Sequence, residues 1–225
     1  MIKALMLVLY PAATWDSIVL KKRGWQTILV VYLLPLWLIA FAVEFYGLVH
    51  WGKPRGFVSE MKTLSHSEAL IFEILQLGLM AVLVFIGAKL IKSLGETFHG
   101  RNTFDQAFTI VAYGLGPVFT MRIFDAFPSV TGWLYWATWG AGFLLTFSIL
   151  YLGIPKVLLP DPPHAFGLYL TSSIFLLMVG GLARFLTFWF LQGKFGKLDS
   201  IVESIVAHLP MLQTFDQHHF WFDKP

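Results

Sequence analysis

Residues 27–49 read TILVVYLLPLWLIAFAVEFYGLV, an apolar run of 23 residues broken by one charge, Glu44, and preceded by the basic cluster Lys21-Lys22-Arg23. A helix of about 20 apolar residues spans the ~30 Å hydrocarbon layer of a bilayer. Only a helix serves there in a single segment, because lipid offers no partner to unpaired backbone groups. Four more runs of this kind follow, at 69–91, 104–124, 133–154 and 166–191. The expected architecture is therefore all-α, a polytopic membrane protein with a bundle of five transmembrane helices, read as a single domain over 1–225.

Composition agrees. Hydrophobic residues make up 57% of the chain and charged residues 13%, with a mean hydropathy of +0.70, well outside the range of water-soluble domains. The basic balance, +3 with a pI near 9.1, comes from residues flanking the apolar runs. That placement points to anionic lipid headgroups as partners and away from nucleic acid. The absence of cysteine excludes disulfides and thiolate metal ligands.

The segment 1–18 has Lys3 followed by only a short apolar run and a poor cleavage site, so a removable signal peptide is not expected. It reads as an interfacial segment with Leu5, Leu7, Leu9 and Trp15 dipped into lipid. Residues 198–209 carry Leu198, Ile201, Val202, Ile205 and Val206 at helical spacing, an amphipathic helix for the opposite surface. The Lys21-Lys22-Arg23 cluster draws its side to the cytoplasm, giving an N-in, multi-pass orientation in a bacterial inner membrane.

Within the spans, Pro35 should kink the first helix, and Gly114-Leu115-Gly116-Pro117 should break the third near mid-depth. Ser65 or Ser67 is placed to cap the second helix, with Glu68 in its first turn. Trp133, Trp136 and Trp139 read as an interfacial belt. Ala137, Gly140, Ala141 and Gly142 in the fourth span, and Gly180-Gly181 in the fifth, read as sites of close helix approach.

Charges inside the spans cost on the order of 2.5–3.5 kcal/mol each at mid-membrane, so they face protein or water. Glu44, Glu73 and Arg184 are the three. Counting inward from the nearest span ends at about 1.5 Å per residue puts all of them roughly 6–11 Å below one face, with Gln76 at the depth of Arg184. This intramembrane charged layer is the candidate site. It reads as an ion or proton site, or else as a structural Glu–Arg pair or side chains that snorkel outward. If paired, Arg184 should meet Glu44 or Glu73. Arg122 and Asp125, three residues apart where the third span ends, read as a surface pair. His218-His219, with His208 and Asp216, match no metal-ligand spacing, so no metal is expected. No catalytic triad, phosphate-binding loop or cofactor motif stands out, and no cofactor is expected.

Pro11 and Trp15 before the first span, Gly100 and Phe104 leading into the third, Tyr113 and Pro117 within it, and Pro155-Lys156 closing the fourth form a layout that resembles the YIP (Ypt-interacting protein) family of five-span membrane proteins, in its short bacterial form. The resemblance implies the five-span topology and a non-enzymatic protein. The Leu-Tyr-Gly-Pro motif of the eukaryotic branch is missing near the first span, so that branch's Rab GTPase role is not carried over. The expected function is a non-catalytic integral membrane protein that organises partners or lipids, an accessory subunit of a larger inner-membrane complex. Its partners would be membrane lipids and other membrane proteins or further copies of itself. The alternative is a small transporter or channel for an ion or small solute, using the Glu/Arg layer.

Overall fold

The computed structural model describes residues 2–54, 61–98, 103–127, 129–130 and 133–191. Five helices are long and apolar enough to cross a membrane: Trp25–His50, His66–Thr97, Phe104–Ala126, Trp133–Leu158 and Pro162–Phe190. They match the five apolar runs and extend most of them by a few residues into polar sequence. The protein is an all-α polytopic membrane protein. The short antiparallel ladder of Lys53–Pro54 with Met61–Lys62 lies in the loop between the first two spans. The expected amphipathic helix at 198–209 and the histidines at 208, 218 and 219 lie outside the described residues.

The first span is not a uniform helix. Trp25–Ile28 is α-helical, Leu29–Leu33 is π-helical, and Leu34–His50 returns to α. The π turn falls just before Pro35, whose ring would otherwise clash with the carbonyl four residues back and which donates no N–H. The second span starts on a capping box: the Glu68 N–H donates to Ser65 Oγ (3.2 Å) and the Ser65 N–H to Glu68 Oε2 (3.0 Å).

The third span is the centre of the bundle and the most buried of the five. It runs as Phe104–Gly114, then Gly116–Met121, then a 3-10 turn at Arg122–Ala126. At the break, Thr146 Oγ1 of the fourth span donates to the Gly114 carbonyl (2.8 Å), so the interruption leaves that acceptor satisfied. The end of the third span is clamped by the first. A Cβ on Gly47 would stand 2.3 Å from the Ala126 carbonyl oxygen and 2.8 Å from its Cα, so only glycine admits this approach. Gly47→Val should therefore lower stability by about 1–3 kcal/mol, the range for overpacking a rigid contact. Thermal unfolding in detergent measures this. A melting temperature equal to wild type would contradict the packing.

Two expectations need correcting. In the fourth span Gly142 does approach the third-span backbone, 3.0 Å from a Cβ position to Val118 Cα, but Gly140 faces open space. Trp133 is exposed, whereas Trp139 turns inward and packs on Phe143, with ring centroids 4.7 Å apart. The three tryptophans are therefore only in part a belt, since a stripe on one helix serves either lipid or a neighbouring helix according to rotation.

The N-terminal segment forms two helices, α1 (Ile2–Leu9) and α2 (Pro11–Lys21), with Pro11 supplying the first residue of α2. Leu5 and Leu9 are exposed as expected, but Leu7 and Trp15 are buried in the protein core. Hydropathy does not distinguish a residue meant for lipid from one meant for the bundle. The α1–α2 pair is thus docked on the membrane domain, against the third and fourth spans.

Candidate functional site

All five spans contribute to one buried polar layer near the membrane face at which the first span ends. Its charged members are Glu44, Glu73, Arg122, Asp125 and Arg184, none more than 9% exposed. Arg122 stands between the first and second spans. One terminal nitrogen, Nη2, lies 2.7 Å from Glu44 Oε2 and 2.9 Å from Glu73 Oε2, and Nη1 contacts the Met80 sulfur at 3.2 Å. Arg184 of the fifth span holds Asp125 of the third with both terminal nitrogens, Nη2 to Oδ1 at 2.8 Å and Nη1 to Oδ2. Nη2 also donates to the Tyr135 carbonyl of the fourth span at 2.7 Å, and the guanidinium stacks 3.3 Å from the Tyr135 ring centre. A two-pronged guanidinium–carboxylate pair stacked on an aromatic face is the strongest geometry available to arginine.

This differs from the sequence expectation in two respects. Arg184 pairs with Asp125, and Arg122 takes both Glu44 and Glu73. Arg122 and Asp125 are not a surface pair: Arg122 is 7% exposed and Asp125 fully buried. The span count placed them at the exit of the third helix. That helix instead ends in a 3-10 turn inside the bundle, held there by Gly47 against Ala126. Two charges just beyond a Gly-Leu-Gly-Pro break were the available signal, because a broken span does not carry its end to the surface.

Gln76 lies beside the layer. Its Oε1 accepts from Thr187 Oγ1 at 3.3 Å, and its Nε2 has no partner among the described residues. A cavity of about 60 Å³ opens here, lined by Gln76, Arg122, Asp125, Arg184 and Thr187 among others. That is room for a few waters. The layer holds three carboxylates against two guanidiniums.

The remaining expected positions cluster at the opposite end of the bundle. The Trp15 indole N–H donates to the Ile149 carbonyl at 3.0 Å, its ring fills the space over Gly153, and it meets Tyr113 edge-on at 6.3 Å. Lys156 bonds the Ala12 carbonyl (2.9 Å) and Asp16 Oδ1 (2.5 Å), tying α2 to the fourth span one residue past Pro155. Phe104 begins the third span and packs on Trp25 and Phe108, while Pro117 sits at the start of the helix after the break. Gly100 lies outside the described residues. The separate sequence segments that carry Pro11, Trp15, Tyr113 and Lys156 are brought into one docking joint.

A five-span bundle with this joint is what the residues at these positions build, and the Yip1 domain family model matches residues 5–196. The chain belongs to the Yip1 domain family. No curated protein and no solved structure was found to match it. The matched region of this Yip1-family protein takes in the second half of α1, all of α2, all five spans and every charged residue of the buried layer.

Proposed function

We propose that this Yip1-family chain is a non-catalytic integral membrane protein that organises partner proteins or lipids, as an accessory subunit of a larger inner-membrane assembly. Its N-terminal face is cytoplasmic, on the side of Lys21-Lys22-Arg23. The observation that carries this reading is the mutual pairing of the buried charges. Each guanidinium of the layer is engaged by carboxylate from other spans, so the layer ties helices together, and the space beside it holds only a few waters. The fifth span is the least buried of the five and turns Phe166, Leu170, Ile174, Met178 and Leu182 outward. These form an apolar flank suited to lipid or to another membrane helix.

A second reading, a small proton-coupled transporter, draws on the one carboxylate in excess of the cations, which a bound proton would neutralise. Liposomes loaded with a pH-sensitive dye separate the two. With purified protein reconstituted and a potassium diffusion potential applied, the dye signal should match protein-free liposomes. A saturable proton or cation flux, lost in Arg122→Met while the variant stays folded, would overturn the organising role in favour of transport.

A further inference from the structure

At the end of the bundle away from the charged layer, a cavity of about 290 Å³ lies between the N-terminal helices and the first and third spans. Four cations line it: Lys3 from α1, Lys21 at the end of α2, and Lys22 and Arg23 from the turn into the first span. Lys22 sits in the left-handed region (φ 39°), the bend that folds this turn back over the cavity. A single carboxylate, Asp105, shares the lining, and its Oδ1 already accepts the Trp25 N–H at 2.9 Å. The Lys3 amine is sequestered 5.6 Å above the Tyr113 ring and has no hydrogen-bond partner among the described residues. Burial, with Arg23 and Lys21 nearby, holds the Lys3 amine below its ordinary pKa. Thr103, Gln106 and Thr109 add neutral polar groups, and Ile18, Ile28 and Val157 give an apolar floor.

We propose that this cavity binds the phosphate group of an anionic phospholipid. Four cations against one carboxylate leave the lining net positive, so it attracts a phosphodiester anion. The cavity lies at the start of the first and third spans, at headgroup level, and its apolar floor suits the glycerol and the first acyl carbons. Basic pockets between spans at the cytoplasmic face hold anionic headgroups by this chemistry. Lys156, by contrast, is committed to Asp16 and Ala12 and belongs to the docking joint.

The inference deepens the lipid-organising reading and rests on the protein being non-catalytic. Native mass spectrometry of the purified full chain tests it, with phosphatidylglycerol, phosphatidylcholine and inorganic phosphate as separate probes. One phosphatidylglycerol should be retained per chain in preference to phosphatidylcholine. The Lys3→Gln/Arg23→Gln double variant should bind it about thirtyfold more weakly, at roughly fivefold loss per headgroup-facing cation. Lys92→Gln, whose lysine pairs with Glu96 on the second-span surface, should bind as wild type. Should the double variant fail to fold, Lys22→Gln, an exposed position, is expected to give a several-fold loss on its own. Equal retention of both lipids, or undiminished phosphatidylglycerol binding by folded variants, would overturn the site. Inorganic phosphate displacing the lipid at low millimolar concentration would overturn the lipid as source and assign the cavity to soluble phosphate. Failure of the phosphate site leaves the liposome flux result untouched, so the two readings fail separately.

Discussion

Arg122→Met is expected to destabilise the protein by about 3–5 kcal/mol, the cost of removing one partner from a buried ion pair. The arginine side chain sits between Glu44 and Glu73, which are 1% and 0% exposed. Without it two carboxylates from adjacent spans remain buried near each other with no cation between them. Arg184→Met leaves Asp125 in the same position and breaks the link from the fifth span to the third and fourth, so a loss of similar order is expected. An exposed control, Lys92→Met, should fall within about 0.5 kcal/mol of wild type. Unfolding in mixed micelles measures all three. Arg122→Met behaving like Lys92→Met would mean that the buried charges do not hold the spans together.

Trp15→Ala should be the next most damaging change, at about 3–5 kcal/mol for a fully buried tryptophan. It removes the ring over Gly153, the contact with Tyr113 and the hydrogen bond to the Ile149 carbonyl at one stroke. The effect should be local. The α1–α2 pair loses its anchor and frays, so the already exposed Lys21-Lys22 turn just beyond it is freed to enter the trypsin cleft. Cleavage there should be much faster in Trp15→Ala than in wild type, with the five spans still protected. Unchanged cleavage would show that α2 is held by Lys156 and the apolar contacts of α1 alone.

The five spans were legible because length and hydropathy act on each segment separately, and a run such as 133–154 reads the same wherever its neighbours lie. The depth of Glu44, Glu73 and Arg184 was also legible, since rise per residue is a local property. Their partners were not. Pairing depends on rotation about each helix axis and on how far the third span reaches, and the break at Gly114–Gly116 with the 3-10 turn after it set that reach. Hence Arg122 and Asp125 read as surface charges while they complete the layer. Leu7 and Trp15 were misplaced for a related reason. An apolar side chain near a membrane surface is equally content in lipid or in protein, and for Trp15 the shape offered by Gly153 decides between them.

The same physics explains why a membrane protein retains five buried charges. Apolar spans gain little from one another in lipid, so packing and polar contacts supply what holds them. Charges from the first, second, third and fifth spans, with a carbonyl of the fourth, bind that end of the bundle into one unit. The other end is closed by α1 and α2 over the third and fourth spans.

The central claim, that the layer is a mutual ion-pair network, is tested most directly by the coupling between Arg122 and its two carboxylates. The measurement compares the unfolding free energies of wild type, Arg122→Met, Glu44→Gln/Glu73→Gln and the triple variant under one set of conditions. The network predicts strong non-additivity: the triple variant should recover much of the loss seen in Arg122→Met, with a coupling of about 2 kcal/mol or more. Losses that add to within about 0.5 kcal/mol would contradict it.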